Sequence, residues 1–109
     1  MGDVQGGVEM KIRIVNKGEE ALVLLDGRID SNVMTELEKG LLDATKRFDR
    51  LTLDFTRVPY VSSAGLRLLV ILDKTMKRKS GSFVLRNVRD DVMDVFNITG
   101  FNRLLDFCE

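Results

Sequence analysis

The chain has no histidine, no tryptophan, one proline and one cysteine in 109 residues. Without histidine it lacks the commonest general base near neutral pH and the commonest metal ligand, and a serine–histidine–acid triad is excluded. Cys108 stands alone beside the C-terminus, so there is neither an intrachain disulfide nor a thiolate metal cluster. It reads as a small apolar filler or a frayed tail residue, compatible with a reducing, cytoplasmic setting. No apolar run approaches the roughly 20 residues of a membrane-spanning helix. Residues 1–7, Met1-Gly2-Asp3-Val4-Gln5-Gly6-Gly7, hold neither a basic nor an apolar segment, so they do not resemble a signal peptide. They are expected to be a disordered leader to one domain over residues 8–109. The 17 basic and 17 acidic side chains cancel, which argues against an electrostatic nucleic-acid binder, because that mode needs a basic face to displace counterions.

What is present is the composition of a folded domain: 44% apolar and 31% charged residues, in a chain long enough to bury a core. Residues 8–15 alternate, with Val8, Met10, Ile12 and Ile14 on one face and Glu9, Lys11 and Arg13 on the other, the period of a half-buried strand. Asn16-Lys17-Gly18-Glu19 signals a turn, and Ala21-Leu22-Val23-Leu24-Leu25 is a denser strand pairing back as a hairpin. Met34, Leu37, Leu41, Ala44 and Phe48 then recur at three- and four-residue spacing, an amphipathic helix. Residues 50–55 read as a third strand and residues 82–88 as a fourth.

Residues 64–79 favour a helix, because Ser63 offers a cap, Lys74, Lys77, Arg78 and Lys79 suit its C-terminal end, and Gly81 follows as a terminator. Its apolar run continues around the wheel near the start, which leaves two readings open: a buried helix, or one with an exposed partner face. Residues 89–99 read as a short helix with Val92, Val95 and Phe96 inward and Gly100 at its end. Phe101, Leu104, Leu105 and Phe107 form a last strand or helical turn. The order implies an α/β fold: a mixed sheet of four to five strands, opened by an antiparallel hairpin, with helices packed on it.

The segment Pro59-Tyr60-Val61-Ser62-Ser63-Ala64-Gly65-Leu66 follows the third strand and opens a helix. Sites in such folds gather at the carboxyl ends of parallel strands. A hydroxyl here is a cap, a nucleophile or a phosphate acceptor. The nucleophile reading fails: Val61 occupies the first position of a Gly-x-Ser-x-Gly elbow, and the residues three beyond Ser62 and Ser63 are Gly65 and Leu66 rather than lysine. Asp90-Asp91 fit the first turn of a helix. Asp54 suggests a phospho-aspartate receiver, but the acidic cluster that would hold magnesium after the first strand is missing. Asp54 is better read as a polar strand-end residue that fixes the following loop. No catalytic residue and no cofactor site is assigned. Two readings of Ser63 remain: a plain helix cap, or a phosphorylation site at a helix N-terminus that tolerates negative charge, with Arg67 one turn along.

Leu53-Asp54-Phe55, then Val58, then Tyr60-Val61-Ser62-Ser63-Ala64-Gly65-Leu66-Arg67 resemble the signature of STAS domains, in particular bacterial anti-sigma factor antagonists. Leu25-Asp26-Gly27-Arg28-Ile29-Asp30 resembles their second strand and loop, and Phe96-Asn97-Ile98-Thr99-Gly100-Phe101 their late helix end. The resemblance implies a protein that binds an anti-sigma factor and serine kinase while unphosphorylated, is released by phosphorylation at Ser63 (with Ser62 second), and is reset by a serine phosphatase. By the same likeness Asp30, Ser62, Ser63, Ala64, Gly65 and Arg67 form the partner-binding set, and no nucleic acid or membrane insertion is involved. Many members carry aspartate where Ser62 stands. The alternative within the family is a separate accessory subunit of a transporter or lipid-transport complex.

Overall fold

The computed structural model describes residues 10–108. The expected leader, residues 1–7, and the expected start of the domain at residue 8 lie outside the described residues.

The alternating segment becomes an antiparallel hairpin of β1 (Lys11–Lys17) and β2 (Glu20–Asp26). Its turn is closed by the Gly18 N–H donating to Asn16 Oδ1 at 3.0 Å, with Gly18 at φ 77°, a left-handed conformation that glycine adopts without steric cost. There follow α1 (Met34–Arg47), β3 (Arg50–Arg57), α2 (Ser63–Arg78), β4 (Ser82–Arg86), α3 (Asp90–Thr99), a 3₁₀ turn (Phe101–Arg103) and β5 (Asp106–Cys108). The sheet order is β1-β2-β3-β4-β5, with β2 to β5 parallel. This is the expected mixed sheet with its opening hairpin. The final element, open between strand and helical turn, contains both.

One sheet face supplies Val23, Leu25, Leu51, Leu53, Phe55, Phe83 and Leu85 to the core. Against it lie Leu37, Leu41 and Ala44 of α1, Leu66, Leu69, Leu72 and Met76 of α2, and Val92 and Phe96 of α3, all buried. The intervening strand residues Leu22, Leu24, Thr52 and Val84 are only half-buried, so the other face is open. That is what a period of two produces when helices cover one side.

Three details differ from the sequence reading. Val95 is 36% exposed; Val92 and Phe96, one turn apart, fill the inward stripe of α3, and Met93 packs beside them. Cys108 is neither filler nor frayed tail but an exposed residue of β5, paired in register with Arg86. The left-handed residue that ends α2 is Ser80 (φ 63°), not Gly81. The Ser80 N–H donates to the Lys77 carbonyl and the Gly81 N–H to the Met76 carbonyl, the paired bonds of a Schellman motif. Gly81 serves instead for close approach, since a Cβ there would run into the Asp49 carbonyl.

Asp54 ties β3 to β4 and to the turn beyond it. Its Oδ1 accepts from the Thr56 N–H at 2.8 Å; its Oδ2 accepts from Arg86 Nε at 2.8 Å and Asn87 Nδ2 at 3.0 Å. Burial alone pushes this carboxyl upward, but the hydrogen bonds from Thr56, Arg86 and Asn87 together outweigh it and hold the pKa at about 2, below the ordinary 3.8. A depressed pKa contributes stability that is fully present above the unfolded value and is lost as pH falls through the folded one. Asp54→Asn is therefore expected to lose about 2 kcal/mol at neutral pH. The gap to wild type should close between pH 3.8 and about 2, as urea unfolding at a series of pH values will show.

Candidate functional site

The loops after β2 and β3 are zipped together at the carboxyl ends of those strands. The Gly27 N–H donates to the Arg57 carbonyl at 3.0 Å, the Ile29 N–H to the Tyr60 carbonyl at 2.9 Å, and the Ser62 N–H to the Ile29 carbonyl at 2.7 Å. Ile29 and Val61 thereby form a parallel bridge and are both buried. Gly65 lets α2 start immediately above that bridge: a Cβ there would stand 2.6 Å from Ile29 Cγ2 and 3.0 Å from Val61 Cγ1. Arg28 lays its guanidinium 4.3 Å from the Tyr60 ring centroid and its Nε 3.8 Å from Asp30 Oδ2, a second, external link between the loops.

The two serines divide the work, and not in the expected way. Ser62, held extended (φ −77°, ψ 168°) by its backbone bond to Ile29, is the N-cap; its Oγ accepts from the Gly65 N–H at 3.1 Å. Ser63 is the first helical residue rather than the cap, and it is exposed. Among the described residues no side chain hydrogen-bonds the Ser63 hydroxyl. The first turn of α2 carries no acidic residue. A negative charge added at Ser63 would meet the positive end of the helix dipole rather than a like charge.

Of the other expected site residues, Asp30 is half-buried and accepts from the Asn32 N–H at 3.0 Å, shaping the loop as an Asx turn. Ala64 is half-buried and Arg67 exposed on the same surface. Gly65 is buried; it places the helix and offers no contact surface. Beside Ala64 and Arg67, the side chains of Met34, Leu68 and Ile71 border a shallow hollow of about 290 Å³, and Ile71 is 51% exposed. The open apolar face of α2 is thus one side of the helix only. Arg28 and Tyr60 escaped the sequence reading because their stacking depends on the bridge between two distant loops.

Among the described residues no cluster of His, Cys, Asp and Glu could hold a metal, and no helix is long and apolar enough to cross a membrane. What the arrangement offers is two loops clasped by backbone hydrogen bonds, with Ser63 and Tyr60 exposed beside them.

A mixed sheet opened by one antiparallel hairpin, with the helices packed on a single face, is the architecture of a STAS domain. The chain belongs to the STAS domain family: the family model described as "Mlab, STAS domain" matches residues 12–106. Within that family it stands with the anti-sigma factor antagonists, which are regulatory rather than catalytic proteins. It is 33% identical to the putative anti-sigma factor antagonist BtrV of Bordetella bronchiseptica, over 73% of this chain and 70% of that one. It is 24% identical to the anti-sigma-B factor antagonist of Bacillus subtilis, over 91% of each. The fold is shared with the Bacillus antagonist SpoIIAA in its unphosphorylated form (TM-score 0.75, 17% identity, 93% of this chain and 89% of that one) and its phosphorylated form (TM-score 0.69, 16% identity, 93% and 92%).

Proposed function

We propose that this chain is a cytoplasmic anti-sigma factor antagonist that works by partner switching. With Ser63 free, the surface formed by Asp30, Ser62, Ser63, Ala64 and Arg67 docks on an anti-sigma factor that is also a serine kinase. Phosphorylation at Ser63 ends the docking, and a serine phosphatase restores it. The observation that carries this reading is the position of the Ser63 hydroxyl, exposed at the first residue of α2 while Ser62 alone supplies the cap. A kinase can reach that hydroxyl without opening the fold. The phosphate it adds brings about −1.5 to −2 charge, which the helix N-terminus accommodates within the domain. A covering partner must desolvate that charge, at a cost of several kcal/mol.

The test is incubation with the cognate kinase-type anti-sigma factor and ATP, read by intact-mass spectrometry. Wild type is expected to gain one phosphate and Ser63→Ala none. Equal uptake by Ser63→Ala would remove Ser63 from this role. Because Ser62 Oγ is committed to the Gly65 N–H, Ser62→Ala should still be modified.

A further inference from the structure

The open face of the sheet carries a hollow that Ser63 does not line. Leu24 of β2 pairs with Asp54, but Asp26 pairs with Arg57, so β3 holds one extra residue at this point. Such an insertion bends the strand locally, and a hollow of about 350 Å³ opens there. Leu24 is its apolar floor. Lys11 and Arg13 of β1 form one wall, and Asp26, Thr56 and Arg57 the other. The register sets Lys11 opposite Asp26, and Arg13 opposite Leu24.

The charges around this hollow are out of balance in a chain whose total charge is zero. Asp54 also borders it, but that carboxylate is already taken by the Arg86 guanidinium at 2.8 Å, by Asn87 and by the Thr56 N–H. Three cations then face a single carboxylate, Asp26. Oppositely charged cross-strand neighbours commonly pair. Yet among the described residues Lys11, Arg13, Arg57 and Asp26 enter no ion pair within 4.0 Å. Among the described lining residues, with Asp54 offset by Arg86, a net charge of about +2 therefore borders an apolar floor, in a hollow at the small end of the size range of ligand pockets.

We propose that this hollow binds a phosphate monoester bearing a small apolar body. A dianion matches the excess charge, and the guanidinium forks of Arg13 and Arg57 suit the bidentate recognition of phosphate oxygens. The Thr56 hydroxyl adds a donor, and Leu24 receives an apolar group of about one ring. The location bears on the rest of the molecule: the Arg57 carbonyl accepts the Gly27 N–H, so the hollow lies at the common root of the two loops that carry Asp30 and Ser62.

Phenyl phosphate is the probe, titrated into the full chain and followed by backbone amide NMR. Saturable shifts are expected at Lys11, Arg13, Asp26 and Arg57, with half-saturation below about 1 mM. Inorganic phosphate should shift the same residues more weakly. The double variant Arg13→Gln/Arg57→Gln should keep a dispersed, native-like spectrum and bind at least tenfold more weakly, whereas Arg103→Gln, on the 3₁₀ turn, should bind as wild type does. Absence of saturable shifts at about 10 mM, equal binding by the double variant, or benzoate binding as tightly as phenyl phosphate would each overturn the assignment. None of these results depends on whether Ser63 is phosphorylated.

Discussion

Replacing Ser63 with aspartate is expected to leave the domain folded and to weaken its binding to the anti-sigma factor about a hundredfold. The two halves of this expectation come from the same geometry. Ser63 is exposed in the first turn of α2, where no acidic residue already stands, and a carboxylate at that position gains about 0.3–1 kcal/mol from the helix dipole. The melting temperature should therefore stay level or rise slightly. The partner gains nothing from that dipole, because the domain's own N–H groups already face the charge. It must strip water from the carboxylate to close over the loop, and a penalty of only ~2.8 kcal/mol suffices for a hundredfold loss. Calorimetric titration together with a thermal melt separates the two halves. A variant that melts normally and binds as tightly as wild type would refute the charge block, whereas a variant that unfolds would refute the claim that the helix end tolerates charge.

Gly65→Ala is expected to damage stability and docking together. The new methyl group would meet Ile29 Cγ2 at 2.6 Å and Val61 Cγ1 at 3.0 Å. Both side chains are buried, 1% and 4% exposed, so neither has room to give. Overpacking of this kind costs about 3 kcal/mol at its upper range, and the better helix propensity of alanine returns at most about 1 kcal/mol. The net loss of about 2 kcal/mol lowers the melting temperature by on the order of 10 °C. Relief of the clash requires the bridge between Ile29 and Val61 to open, which separates the loop of Asp30 from that of Ser62. Binding should fall at least tenfold, even at a temperature where the variant is fully folded. Wild-type affinity in folded Gly65→Ala would show that the two loops need not be clasped.

The elements were largely legible because their periods differ. Alternation marked β1, three- and four-residue spacing marked α1, and the turn residues between them marked the boundaries. The site was legible in outline for the same reason: a strand, a short loop and a helix start can be read locally. What decided between the two serines was not local. Both are good capping residues, and Ser62 takes the cap because its N–H is held by the Ile29 carbonyl, a residue far away in sequence. The stacking of Arg28 on Tyr60 and the close approach at Gly65 depend on that same contact. Ser80 in place of a left-handed glycine could not be read either, because Gly81 beside it satisfied the usual pattern and its real constraint, the Asp49 carbonyl, comes from another element. The hollow on the open face needs an extra residue in β3 that no strand pattern displays.

The proposed switch rests on these contacts: Ser62 caps α2, and the Ser63 hydroxyl stays exposed outside the cap. The most direct test is a calorimetric titration of the anti-sigma factor with the unmodified protein and with protein carrying a single phosphate on Ser63, alongside thermal melts of both. The two forms should melt alike, and the phosphorylated one should bind at least a hundredfold more weakly. Equal affinities, or a phosphorylated form that melts well below the unmodified one, would contradict the account.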